Sequence, residues 1–219
     1  MPNERIVRYS IAVNVTIIIL VVYMTVNVMF RIVDVVDYAA SQDIYLFFTN
    51  WSNYLAAVLS IGTLYCIHKG IRSPRILLVL KLAAVMMLTI TMVVVAFVLV
   101  PYQGWTILLN PEGSLMAHLI NPILAIVDFL YLSDMEAMGK KEAVLSTIPM
   151  LLYMVFIVVF LIIAGNDDLA PYPFLRIHSQ SVLTTLLVGI GVFVMEFVVS
   201  FVYTKVVRRT NPNLRQASG

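Results

Sequence analysis

The chain has 219 residues, of which 61% are hydrophobic and only 12% charged, with mean hydropathy +0.96 and a net charge of +2. A soluble domain sits nearer half apolar and a quarter charged, so this composition defines an integral membrane protein. The small charge gives no basis for binding nucleic acid, and the single cysteine, Cys66, excludes an internal disulfide or a cysteine-rich metal site.

A membrane span needs about 20 mostly apolar residues. Six stretches qualify: Tyr9–Phe30, Phe47–Ile67, Ile76–Val100, Leu115–Leu132, Ala143–Ala164 and Ser181–Val207. Arg5 and Arg8 precede the first, as in a signal peptide. Its apolar run is too long for one and no small-x-small cleavage site follows, so it reads as a retained span. The second opens with FFTNWSN, whose Thr49, Asn50, Ser52 and Asn53 are polar; Asn50 and Ser52 are expected to cap the helix start or reach interfacial water. The third and fifth are plain runs, VMMLTITMVVVAFVLV and MLLYMVFIVVFLIIA. PYQGW (101–105) and APYPFL (170–175) break helices and supply interfacial aromatics. Gly189 and Gly191, inside the sixth span, suggest close helix packing. Backbone groups in lipid must be satisfied within their own segment, so every span is a helix. The expected fold is an all-α polytopic membrane protein, with a six-helix domain over 1–207 and a loose polar tail over 208–219.

Basic residues set the orientation. Arg5, Arg8, Lys69, Arg72, Arg75, Lys140, Lys141, Lys205, Arg208, Arg209 and Arg215 fall on one side, against Arg31 and Arg176 on the other. Both termini are therefore expected in the cytoplasm of a cell-membrane protein. The opposite face carries Asp34, Asp37, Asp43, Glu112, Asp167 and Asp168.

Polar stripes run down three helices. Thr49, Asn53, Ala56, Ser60 and Thr63 share one face of the second, and Ser114, His118, Asn121, Ala125 and Asp128 share one face of the fourth. Ser181, Thr185, Gly189 and Glu196 form a looser stripe on the sixth. Such faces meet other helices or a watered cavity rather than lipid. Depth separates two clusters. Lys81, Asp128 and Glu196 lie in the inner half, where each charge costs about 2.5–3.5 kcal/mol unpaired. An ion-paired group offsets that cost; a proton or ion pathway is the functional alternative. Thr49 and His118 lie near the outer end, with Asn27 and His178 at similar height. Asp128 is roughly 15 Å deeper than His118.

A threonine hydroxyl becomes a nucleophile only with a base in hydrogen-bonding reach, and histidine is the usual base. Thr49 and His118 are the candidate pair, with Asn50, Asn53 and Asn121 as orienting groups or oxyanion donors. The plainer alternatives are that Thr49 is an N-cap and His118 an interhelical hydrogen-bond partner. No zinc set is evident, since Cys66 and His68 lie far from His118 and His178, and no cofactor is expected.

FFTNW, AHLINPILAIVDFLY and PYPFL, in this order along six spans, resemble the androgen-induced and androgen-dependent TFPI-regulating membrane proteins and their uncharacterised bacterial relatives. The family members studied are threonine hydrolases that cleave fatty-acid esters of hydroxy fatty acids. The resemblance implies Thr49 as nucleophile, His118 as the essential histidine, and Asp128 in place of the animal members' glutamate. It departs from the animal pattern at Pro122, four rather than five residues after His118. It also lacks a second histidine just before His118, and Ser52-Asn53 matches the bacterial branch.

The expectation from the sequence is a lipid ester hydrolase acting on a fatty-acyl ester near the outer leaflet, with membrane lipids as its surroundings. The rivals are a transporter or channel using Lys81, Asp128 and Glu196, and a non-catalytic lipid-binding protein.

Overall fold

A computed structural model describes residues 4–30, 46–109 and 114–211. Among them all regular structure is helical. The helices are α1 (Glu4–Phe30), α2 (Phe48–Lys69), α3 (Arg75–Val94), α4 (Val100–Gln103), α5 (Thr106–Leu109), α6 (Asn121–Val127), α7 (Lys140–Leu145), α8 (Ile148–Ala164) and α9 (Val182–Thr210). Arg31, Asp34, Asp37, Asp43, Glu112 and Arg215 lie outside the described residues, as does the tail beyond Asn211.

Four helical stretches are long and apolar enough to cross a membrane: Glu4–Asn27, Arg75–Phe97, Lys140–Ala164 and Val182–Thr210. Met116–Leu132 is shorter, and α2 carries the polar face that dilutes its hydropathy. The third span, a plain apolar run in sequence, lies inside the bundle. Most of α3 is buried, between Leu78 and Thr91, whereas in α9 only Glu196, Ser200, Thr204 and Val207 are, so α3 is the central post of the bundle. It packs on α2, α6, α8 and α9, while α1 packs on α2 and α6. A helix apolar all round is suited to such a place. Leu78, Leu82, Val85 and Leu88 meet Ile17, Val21, Leu59, Phe129 and Val207 in the main apolar cluster. Large exposed side chains such as Ile19, Val58, Leu152, Ile163 and Leu186 form the outer surface that lipid would cover.

Prolines set the breaks. A proline has no N–H, and its ring collides with the carbonyl four residues back. Pro149 thus interrupts the fifth span between α7 and α8, where the Ser146 and Thr147 hydroxyls donate to the Ala143 and Val144 carbonyls at 2.9 and 2.8 Å. Pro122 does the same to the fourth span. A π-helical turn over Met116–Ile120 precedes α6, and a second over Asp128–Leu132 follows it. Gly104, at φ 79°, ends α4 within the expected PYQGW break.

Two packing expectations change. A Cβ added at Gly189 or Gly191 would meet nothing within 4 Å, so these glycines are not sites of close approach. The expected domain boundary at 207 falls inside α9, which continues to Thr210 and is pinned at its end. Arg208 donates to the Met138 carbonyl, and Asn211 Nδ2 to the Ser133 carbonyl at 3.0 Å.

Candidate functional site

The start of α2 forms one wall of the outer polar group. Phe47 is its N-cap residue, extended at φ −76° and ψ 125°, with no side-chain cap. Thr49 is therefore the second helical residue, and the N-cap reading of Thr49 does not hold. The Thr49 hydroxyl also differs from the threonines in the middle of α1, α2 and α3. Thr16, Thr25, Thr63, Thr89 and Thr91 each donate to the carbonyl four residues back, at 2.7–3.1 Å. Thr49 stands in the first turn of α2, where no helical carbonyl lies four residues back. Among the described residues the Thr49 hydroxyl has no hydrogen-bond partner.

The polar stripe of α2 faces inward as expected. Asn53, Ala56, Ser60 and Thr63 are buried. Ser52 is too: it is 0% exposed and donates to the Thr49 carbonyl at 2.9 Å, so it does not reach interfacial water. Asn53 Nδ2 donates to the same carbonyl at 2.8 Å.

The second wall is the π turn that carries His118. In it the Asn121 N–H reaches back five residues to the Met116 carbonyl. The Ala117 carbonyl thereby loses the donor that an α-helix would give it, and Pro122 has no N–H to offer in its place. Asn53 Nδ2 fills the vacancy across the helix interface, at 3.2 Å. The Asn53 Oδ1 accepts from Asn121 Nδ2 at 2.9 Å, closing the brace. Asn121 Nδ2 also approaches the Met24 sulfur, at 3.8 Å. Thr49 and His118 thus stand on two packed turns that share Asn53, one residue from its acceptor Ala117 in the case of His118. They are not hydrogen bonded to each other.

The His118 ring touches a residue that sequence reasoning placed only on the stripe. Its Nδ1 is 2.9 Å from Ser114 Oγ, whose hydroxyl donates to the Ile107 carbonyl on α5. Both Asn53 N–H groups are committed, so Asn53 acts here as a brace and not as a spare donor. Asn50 is half-buried in the first turn of α2, and Asn121 Oδ1 is buried without a partner.

Aromatic rings surround this end of α2. Phe48 packs on Tyr153 at 5.1 Å, Trp51 on Phe156 at 5.9 Å, and Phe47 on Tyr172 at 6.1 Å. Tyr172 in turn stacks on Phe174 at 5.3 Å, so the PYPFL segment lies against the head of α2. Tyr153 donates its hydroxyl to the Leu46 carbonyl at 2.7 Å and fixes the approach to the helix. His178 does not join the outer group through its ring. Its Nε2 donates to the Leu161 carbonyl at 2.9 Å, at the end of α8.

The inner cluster is a buried ion pair in a hydrogen-bonded shell. Lys81 (6% exposed) pairs with Asp128 (1% exposed). Lys81 also donates to Ser133 Oγ at 2.8 Å. Asp128 accepts from Ser10 Oγ at 2.9 Å, Asn14 Nδ2 at 3.0 Å and Ser133 Oγ at 3.1 Å. Ser10 and Asn14 were missed, although they begin the inward face of α1 that continues as Ile17, Val21 and Met24, a 4-3-4-3 spacing. Glu196, expected in this group, forms no ion pair among the described residues. It is 1% exposed, with Oε1 unpartnered, on an α9 stripe that includes Ser200 and Thr204. The spacing along α9 does not give the direction in which that face points.

Comparison with protein-family models, with curated proteins and with solved structures finds no match for this chain. Fold and site define a class, a helical membrane protein with a Thr/Asn/His polar group and a separate buried ion pair.

Proposed function

We propose that this protein is a six-span membrane enzyme, with both termini in the cytoplasm, that hydrolyses fatty-acyl esters using Thr49 as nucleophile and His118 as base. The carrying observation is the Asn53 brace, which joins the Thr49 carbonyl to the Ala117 carbonyl beside His118. An unencumbered Thr49 hydroxyl supports it. The resemblance of FFTNW, AHLINP and PYPFL to the threonine hydrolases suggests the substrate class, fatty-acid esters of hydroxy fatty acids.

In this reading His118 takes the Thr49 proton as Thr49 Oγ attacks the ester carbonyl. The tetrahedral intermediate collapses to an acyl-threonine, and the same proton leaves with the alcohol. Water, deprotonated by His118, then attacks the acyl-threonine, and the regenerated threonine recovers a proton. With Asn53 committed, and the Asn50 and Trp51 amides already donating to the Phe47 carbonyl, the Thr49 amide becomes the favoured oxyanion donor. The acyl chain would lie against the exposed apolar surface beside Trp51 and Phe156.

Conduction through Lys81 and Asp128 is disfavoured because the two are buried and paired with each other, and Ser10, Asn14 and Ser133 also hold the carboxylate. Thr49→Ala and His118→Ala should each lower turnover of a fluorescent acyl ester about 10³-fold without loss of thermal stability. Wild-type turnover by purified Thr49→Ala would refute the assignment.

A further inference from the structure

We propose that Ser114, anchored to the Ile107 carbonyl, holds His118 with its hydrogen on Nδ1, leaving Nε2 as the atom that takes the nucleophile's proton. This rests on the reading of His118 as the base, and it adds a positioning residue and a specific nitrogen to it.

The argument is a count of hydrogens. A carbonyl oxygen has none to give, so the contact between Ser114 Oγ and the Ile107 carbonyl requires the serine to donate. A serine hydroxyl has one hydrogen. Toward His118, 2.9 Å away, Ser114 Oγ can then only accept. His118 Nδ1 must supply that hydrogen, and a neutral imidazole with Nδ1 protonated has its lone pair on Nε2. The partner on one ring nitrogen thus selects the chemistry of the other, as in triads where a third group orients the histidine. The Ser114 and Ile107 carbonyls also act on the His118 ring, and as acceptors they too call for a hydrogen on it.

The anchor spans two elements. Ser114 and His118 are four residues apart, one above the other on the same helical face. Ile107 is buried on α5, ahead of that face and across the connection from α4. The same geometry argues against Ser114 as nucleophile. A serine activated by His118 would direct its hydrogen at Nδ1, whereas this one is directed at a carbonyl.

The test uses the full chain in detergent micelles with ring-¹⁵N histidine. Only three histidines report, and His118→Gln identifies the signal of interest. At neutral pH the His118 pattern should show protonated Nδ1 and bare Nε2. A bare Nδ1 in the wild type would overturn the proposal, and this arm needs no variant of Ser114. Ser114→Ala should shift the population toward the other tautomer and lower kcat about tenfold with KM unchanged, because the competent form becomes a minority. Ser114→Thr, which keeps the hydroxyl, should restore both. An unchanged ring spectrum in Ser114→Ala, or a fluorophosphonate adduct on Ser114, would overturn it. Should the wild-type spectrum match while no ester is cleaved, the tautomer assignment survives and the hydrolase reading fails.

Discussion

Asn53 on α2 donates its side-chain amide to the carbonyl of Ala117, the residue before His118. That carbonyl is available because Pro122 and the π turn before it deprive it of a helical donor. A break in one helix is thus repaired by a polar side chain from another, and the repair brings together the two helices that carry Thr49 and His118.

Removing the brace should be expensive. Asn53→Leu leaves the Ala117 carbonyl and Asn121 without their buried partner, and each such loss costs about 1–3 kcal/mol. Thermal unfolding in detergent should show a clear drop in Tm. Asn53→Leu with wild-type Tm would mean the brace is not structural.

Pro122→Ala separates regularity from function. Restoring an N–H at position 122 favours a regular helix, and an interior proline costs about 3 kcal/mol relative to alanine. Tm should hold or rise, while ester turnover falls because the Ala117 carbonyl turns back into its own helix. Turnover equal to wild type would show that the π turn is dispensable.

The inner pair predicts a different pattern. Asp128→Asn leaves Lys81 buried without its counter-charge, at a cost of about 3–5 kcal/mol. Replacing both partners, Lys81→Met with Asp128→Leu, should recover much of that loss and retain ester hydrolysis. A double variant that folds but cannot turn over substrate would give the pair a catalytic role.

Asp167, in the connection between α8 and α9, supplies a pH dependence. Desolvation would raise its carboxyl, but hydrogen bonds from the Ser179 hydroxyl and the His178 N–H outweigh it and hold the group below its ordinary value of 3.8. A depressed folded value stabilises the native state above the unfolded pKa, and that contribution is lost as pH falls through the folded value. The Tm difference between wild type and Asp167→Asn should therefore be largest near neutrality and vanish in strong acid. A pH-independent difference would contradict the linkage.

The buried faces were legible in the sequence; azimuth and breakage were less so. The 4-3 spacing of Asn53, Ala56, Ser60 and Thr63 marks the buried face of α2, and charge burial pairs Lys81 with Asp128. Spacing within one helix does not say which neighbour its face meets. Ser10 and Asn14 were therefore missed as partners of Asp128, and Glu196 was assigned to a group it does not join. Pro122 was visible as a break, but not the orphaned Ala117 carbonyl that follows from a widened turn. The Ser114–Ile107 contact crosses between elements with no shared periodicity, so spacing carries no trace of it.

The central claim is that Thr49 attacks the ester, and covalent trapping tests it most directly. Full-length protein in lipid nanodiscs would be treated with a long-chain alkyl fluorophosphonate, then digested and mapped by mass spectrometry. The account predicts one phosphonylated residue, Thr49, with labelling lost in His118→Ala and slowed in Ser114→Ala. Ester-cleaving protein that carries the label on another residue would contradict it.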